Sequence, residues 1–405
     1  MEPEASLVPR VPQVAPPGAA IPNGMAFSST AEQDRLYEEA REFAGRLVNP
    51  AIEDRDGLPY FGVQEWRLCG EIGLLGSCIP KRYGGRGHDA LTVARVVEGF
   101  ARGCSDTGLV FAACAHLFAC AMPIADNAGE ELKERVLPRL ASGEWVGANA
   151  ITEPDAGSDV FSLSSRAVRD GARYLLTGSK NYVTNGPVAD CFLLYASTEP
   201  AHGFLGITAF LVDGDAPGLS RGDHFDKIGL TGAPVCEVWL EDCPVDAGNR
   251  VGPEGGGAAI FRSAMEWERA CLFALYLGVM DRQLEEVVAF AKRRRQFGKP
   301  VGRHQAVAHR AADMKLRLDA GRLLLHRACW MKSQGLECAL EVSLAKLAIS
   351  EGAVRSGLDA IQIFGGLGIK PETGIASALS DAIPSTIFSG TSEIQRDLIA
   401  RGLGL

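Results

Sequence analysis

The chain has 405 residues, 46% of them hydrophobic, with a formal net charge of -9. That length exceeds one ordinary domain and supplies ample core, while the acidic balance argues against general nucleic-acid or membrane-surface binding. Eleven cysteines fall in no Cys-x-x-Cys pair and seven histidines form no ligand cluster, so reduced core thiols in a cytoplasmic protein are expected, without disulfides or metal. No apolar run reads as membrane-spanning, and Glu2 and Glu4 occupy what would be the basic region of a signal peptide.

In chain order, the first stretch is punctuated by Pro3, Pro9, Pro12, Pro16, Pro17 and Pro22 with no apolar period, which predicts a disordered tail over 1–28. Thr30 and Gln33 have the spacing of a capping box ahead of a helical face with Leu36, Ala40, Phe43 and Leu47. Helical patterns follow over 63–72, 90–102, 107–127 and 130–141, giving a helical domain over 29–144. The period then shortens to strand-like runs at 146–151, 174–177, 191–195, 207–212 and 235–240, separated by Gly, Pro and Asp. These predict a compact β-domain over 145–256, closed by the loop Gly252-Pro-Glu-Gly-Gly-Gly257. Long helical patterns at 258–293, 305–334, 340–364 and from 392 onward predict a C-terminal four-helix bundle over 257–405.

Two stretches of the β-domain invite a ligand. Asn149-Ala-Ile-Thr-Glu-Pro-Asp-Ala-Gly-Ser-Asp159 and Lys180-Asn-Tyr-Val-Thr-Asn-Gly186 each read as a short strand that ends at a threonine and enters a glycine-bearing turn. Taken singly, each also fits an ordinary hairpin turn. Three further motifs follow: Arg294-Arg-Gln-Phe-Gly-Lys-Pro300, Gln362-Ile-Phe-Gly-Gly-Leu-Gly368 and Ser389-Gly-Thr-Ser-Glu-Ile-Gln-Arg396. Together and in this order, the five resemble the signatures of the acyl-CoA dehydrogenase flavoproteins, and the likeness covers nearly the whole chain after about residue 30.

The resemblance implies the fold of that family: an N-terminal helical domain, a middle antiparallel β-barrel-like domain and a C-terminal four-helix bundle. It implies FAD as cofactor, with Thr152 and Thr184 bonding the flavin ring and Tyr182 stacked on it. Arg294, Gln296, Phe297, Gln362, Gly365 and Gly366 match positions that hold the adenosine and diphosphate part across a subunit interface, so a homotetramer or homodimer is implied. Thr391 and Glu393 match further cofactor positions, and Ser158, Arg269 and Ser389 match substrate-binding ones. Read by itself, Arg294 among three consecutive arginines is also a plain solvated helix end.

The pattern departs from most members at Ser389, where a glutamate usually removes the substrate's α-proton. A serine hydroxyl is too weak a base for that at neutral pH. The isovaleryl-CoA dehydrogenase arrangement instead takes the base from the first long C-terminal helix, and Glu268 falls on that position, followed by Arg269. Met265, Glu268, Leu272, Leu275 and Val279 share one helical face, and 270–280 carries no charge, which places Glu268 at the edge of a buried segment. A structural glutamate near a helix start fits the same pattern. The implied reaction is α,β-dehydrogenation of an acyl thioester on CoA or an acyl carrier protein, with electron-transfer flavoprotein or O2 as acceptor. The Ser389 substitution also suits a flavin oxidase or monooxygenase, and a catalytically silent flavoprotein is the third alternative.

Overall fold

The computed structural model describes residues 28–47 and 61–405. Nearly all of the expected tail lies outside the described residues. Helix α1 (Ala31–Ala44) opens on the expected capping box: Gln33 N–H donates to Thr30 Oγ1 at 3.2 Å and Thr30 N–H to Gln33 Oε1 at 3.0 Å. Its buried face is Gln33, Tyr37, Ala40 and Ala44, with Leu36, Phe43 and Leu47 half-buried beside it. Helix α2 covers Val63–Glu71 and α3 Ala90–Gly103. A side chain at Gly99 of α3 would stand 2.3 Å from Tyr37 O, so glycine is what lets α1 and α3 approach.

The run at 107–127 is one continuous helical rod with a π-helical middle: α4 (Thr107–Cys114), a π segment (Ala115–Ala121) and α5 (Met122–Asn127). This corrects the reading that no run reaches spanning character, because Thr107–Asn127 is long and apolar enough by length and composition to cross a membrane, with a mean hydropathy of 1.9. Here its apolar window is 100% buried within the protein, and the side chains form the centre of the core. His116 in the π segment joins the helical domain to the sheet. Its Nε2–H donates to Leu140 O at 3.0 Å while Nδ1 accepts from Gly147 N–H at 2.9 Å, and burial holds its pKa down at about 4. Helix α6 (Glu130–Ser142) completes this layer.

Strands follow at β1 (Gly147–Ala150), β2 (Arg166–Asp170), β3 (Arg173–Thr184), β4 (Cys191–Ser197), β5 (Ile207–Asp213), β6 (Leu219–Arg221), β7 (Val235–Asp246) and β8 (Arg250–Val251). The sheet order is β6-β7-β3-β2-β4-β5-β8, with β1 paired to β4. Most pairs are antiparallel, but β1 and β2 run parallel to β4, so the sheet is mixed where a purely antiparallel one was expected. Hydrophobic alternation carries no information on strand direction, which is why the sequence is silent on this point.

Beyond the sheet come α7 (Gly257–Trp267), a second π segment (Glu268–Leu272) and α8 (Ala274–Arg293). The short hairpin β9 (Arg295–Gln296) and β10 (Lys299–Pro300) leads into α9 (Gln305–Ser333). The chain closes with α10 (Ala339–Phe364), α11 (Ile375–Ala382) and α12 (Ser392–Gly402). An ion-pair network welds the N-terminal helices to this bundle. Glu98 of α3 is 1% exposed and accepts from Arg322 Nη2 of α9 at 2.7 Å. Burial alone would raise its pKa, but His326, Arg322 and Arg95 hold it down at about 2.

Candidate active site

A cavity of about 2140 Å³ opens between the sheet and the C-terminal helices, and its wall includes Thr152, Ser158, Tyr182, Thr184, Glu268, Arg269, Ser389 and Thr391. One wall is the pair of strand ends. At the bulge in β3, Lys180 faces Val238 and Val183 faces Cys236, so three steps on β3 match two on β7. Tyr182 takes up the excess at φ 54°, and Asn181 Oδ1 accepts its N–H at 2.8 Å. The bulge splits the side chains: Lys180 is 0% exposed, while Tyr182 is 68% exposed on the cavity wall beside Phe225.

Below the strand ends lies a buried ion pair that sequence reasoning missed. Lys180 Nζ donates to Glu153 Oε1 at 2.6 Å and to Ile151 O at 3.3 Å. Glu153 also accepts from the N–H and hydroxyl groups of Ser164 and Ser165. Burial would raise the Glu153 pKa, but Lys180 and the two serines hold it at about 2. Asn181 N–H donates to Thr152 O at 2.8 Å, and Asn185, at φ 66°, donates to Ala112 O at 3.0 Å. Thr152 and Thr184 are thereby held at fixed spacing. The available signal was a Glu and a Lys flanking threonine turns in strands, a pattern too short to separate from surface charge.

The opposite wall carries Glu268, 7% exposed, at the first position of the π segment. Burial pushes its pKa up to about 7, against the opposing pull of Arg269 and of a hydrogen bond from Ser389. That bond runs from Ser389 Oγ to Glu268 Oε1 at 3.3 Å. Met265, Glu268, Leu272, Leu275 and Val279 are all buried, and the π segment shifts the helical register between Glu268 and the residues that follow.

Ser389 and Gly390 both have positive φ, 54° and 89°. Arg269 Nε donates to Ser389 O at 2.9 Å, and Gln395 Nε2 donates to Ser389 O at 3.2 Å and to Gly390 O at 3.0 Å. The Ser389 N–H belongs to the preceding peptide and meets no acceptor among the described residues. Arg269 thus serves the Ser389 carbonyl, a use the sequence pattern did not show. Thr391 caps α12 by accepting Ile394 N–H at 3.3 Å. Lys346, buried in α10 with no partner for Nζ among the described residues, lies near the Arg269 charge and over the Phe273 ring at 5.6 Å.

The other expected cofactor residues do not line the cavity. Arg294, Gln296 and Phe297 are exposed on the β9–β10 hairpin, with Phe297 at 91%. Gln362, Gly365 and Gly366 are exposed at the end of α10. The Phe290–Phe364 stack at 4.2 Å brings these two exposed segments to the same end of the bundle. Glu393 is exposed on α12 and pairs loosely with Arg396 at 4.0 Å. Among the described residues no His, Cys, Asp and Glu group has metal-ligand geometry.

The cavity also fits a large planar cofactor. Asn149 Oδ1 is buried without a partner on its wall, the Thr152 and Thr184 side-chain hydroxyls have none among the described residues, and the Tyr182 ring is presented to it.

Family models for the acyl-CoA dehydrogenase N-terminal, middle and C-terminal domains match residues 30–144, 148–243 and 255–404. An L-prolyl-[peptidyl-carrier protein] dehydrogenase of Pseudomonas fluorescens is 53% identical over 348 residues, covering 85% of this chain and 91% of that protein. A protein of the same description from a Serratia species is 42% identical over 94% of this chain and 99% of its own. The crystal structure of the prolyl acyl carrier protein oxidase AnaB is 43% identical, with a TM-score of 0.91 over 93% of this chain and 100% of that one. The chain belongs to the acyl-CoA dehydrogenase family and is an FAD-dependent oxidoreductase acting on CH–CH groups.

Proposed function

We propose that the protein dehydrogenates the Cα–Cβ bond of an L-prolyl thioester carried on the phosphopantetheine arm of a carrier protein, with Glu268 as the base. The observation that carries this reading is the buried Glu268 carboxylate, with a pKa near 7, across one cavity from the Thr152 and Thr184 strand ends. A base with that pKa is half ionised at neutral pH and takes the α-proton of the thioester. The Ser389 N–H donates to the thioester carbonyl oxygen as negative charge develops there; a donor of this kind is worth roughly 3 to 4 kcal/mol in the transition state.

FAD, when bound, would supply the acceptor for the β-hydrogen and its electron pair. Thr152, Tyr182 and Thr184 would hold the flavin ring. Arg294, Gln296, Phe297, Gln362, Gly365, Gly366 and Glu393 would serve the FAD of a neighbouring subunit, since they gather at one exposed end of the bundle. Thr391 and Ser158 would flank the cofactor and the pantetheine arm.

The prolyl group is supported by the two carrier-protein relatives and by the shape of the cavity. Phe111 and Phe388, 4.6 Å apart, line the cavity together with Ala115, an apolar surface against which a prolyl ring would pack. The related AnaB is described as an oxidase, which favours O2 over electron-transfer flavoprotein as acceptor for a second reading.

The test is anaerobic titration of the holoprotein with a thioester panel: L-prolyl-[carrier protein], L-prolyl-pantetheine, isovaleryl-CoA and butyryl-CoA. Flavin bleaching by the prolyl thioesters at far lower concentration than by the acyl-CoAs supports the reading. Bleaching by acyl-CoAs alone overturns it. Admitting air after reduction then separates the acceptors, because an oxidase recovers its flavin colour within turnover time.

A further inference from the structure

Beside the cavity-lining residues Phe161 and Arg262 stands an exposed apolar step, and the proposed chemistry uses neither it nor the arginine. Phe204 is 47% and Leu205 63% exposed, side by side on the 3-10 segment Pro200–Gly206 that links β4 to β5. Phe161, a cavity-lining residue, lies 6.5 Å from Phe204 and edge-on to Phe261 at 6.0 Å. The Arg262 guanidinium stands 5.7 Å from the Phe161 ring and 5.9 Å from the Phe204 ring, and it too lines the cavity.

Arg262 has no carboxylate or hydrogen-bond partner among the described residues. Glu266, one turn further along α7, pairs instead with Lys332 at 3.6 Å. Of the other cations on the cavity wall, Lys227, Arg269 and Arg327 are already bonded, and Arg401 belongs to α12. An unpaired guanidinium braced by two aromatic faces is a preformed anion site.

We propose that Phe204, Leu205 and Arg262 form the docking surface for the carrier protein. Arg262 takes the phosphodiester of the phosphopantetheine arm, and the Phe204–Leu205 step seats an apolar face of the carrier. This rests on the carrier-borne substrate reading. The chemistry matches a carrier better than free CoA. A phosphopantetheine arm brings one phosphodiester charge to one arginine, while the nucleotide end of CoA brings several charges and has no use for two exposed apolar side chains.

The test uses holoprotein and three probes: L-prolyl-[carrier protein], L-prolyl-phosphopantetheine and L-prolyl-pantetheine. Reduction of the flavin is followed in stopped flow under argon. The double change Phe204→Asp and Leu205→Asp should lower the efficiency of reduction by the carrier-borne thioester by at least about tenfold and leave the two small thioesters unchanged. Arg262→Gln should weaken both phosphate-bearing probes and spare L-prolyl-pantetheine. Wild-type efficiency of the double variant with the carrier-borne probe overturns the docking surface, as does an equal loss with all three probes. If the wild-type protein is reduced by none of the three, the substrate reading falls and this proposal with it.

Discussion

Ser389 Oγ donates a hydrogen bond of 3.3 Å to Glu268 Oε1. The residue that stands where most of the family carries a glutamate therefore bonds the carboxylate proposed as the base, in addition to the part proposed for its backbone at the thioester carbonyl. By bonding the ionised form it opposes the burial that lifts Glu268.

Ser389→Ala should raise the Glu268 pKa above about 7, because the ionised carboxylate loses a hydrogen-bond donor. Glu268 must be ionised to accept a proton. Flavin reduction by the variant should therefore fall several-fold at pH 6.5 and match wild type at pH 9, with the whole pH profile displaced upward. A profile that is lowered at every pH without displacement would show that the hydroxyl acts some other way.

The buried Glu153–Lys180 pair fixes the strand ends that face the cavity. Glu153→Ala leaves the Lys180 ammonium buried and unpaired, and should cost about 3 to 5 kcal/mol of stability and loosen FAD. Glu153 titrates at about 2, below its unfolded value of 4.5, so its contribution is present above pH 4.5 and is lost as pH falls toward 2. Chemical denaturation at pH 7 and pH 3 checks this: the gap between wild type and variant should be wide at the first and narrow at the second.

Arg294 stands exposed on a hairpin at the same end of the bundle as Gln362 and Gly366. Arg294→Ala should release FAD and disturb oligomeric order together, because the diphosphate site is proposed to span two subunits. Ultracentrifugation with flavin absorbance measures both. Full FAD retention in a stable monomer would contradict the shared site.

Most of the architecture was legible because each element has its own local signature. The Thr30–Gln33 box, the apolar face of α3 and the strand-to-glycine turns all act within a few residues. Strand direction was not legible, since β1 and β2 pair with β4 through contacts far apart in sequence. Nor were the two π segments, whose extra residue per turn leaves no compositional mark. At the site, Ser389 and Glu268 were singled out by the family resemblance, and the uncharged run after Glu268 marked it as lying at the edge of a buried segment. The bond between Ser389 and Glu268, and the use of Arg269 and Gln395 to hold the Ser389 carbonyl, depend on positive φ angles that the Ser-Gly pair alone does not announce.

The most direct measurement of the central claim is stopped-flow flavin reduction of Glu268→Gln by L-prolyl-[carrier protein] under argon. Glutamine keeps the shape and can still accept the Ser389 hydrogen bond, but it cannot take the α-proton. The rate constant is expected to fall by roughly 10²-fold or more, with FAD content unchanged. Reduction at the wild-type rate would contradict the assignment of Glu268 as the base.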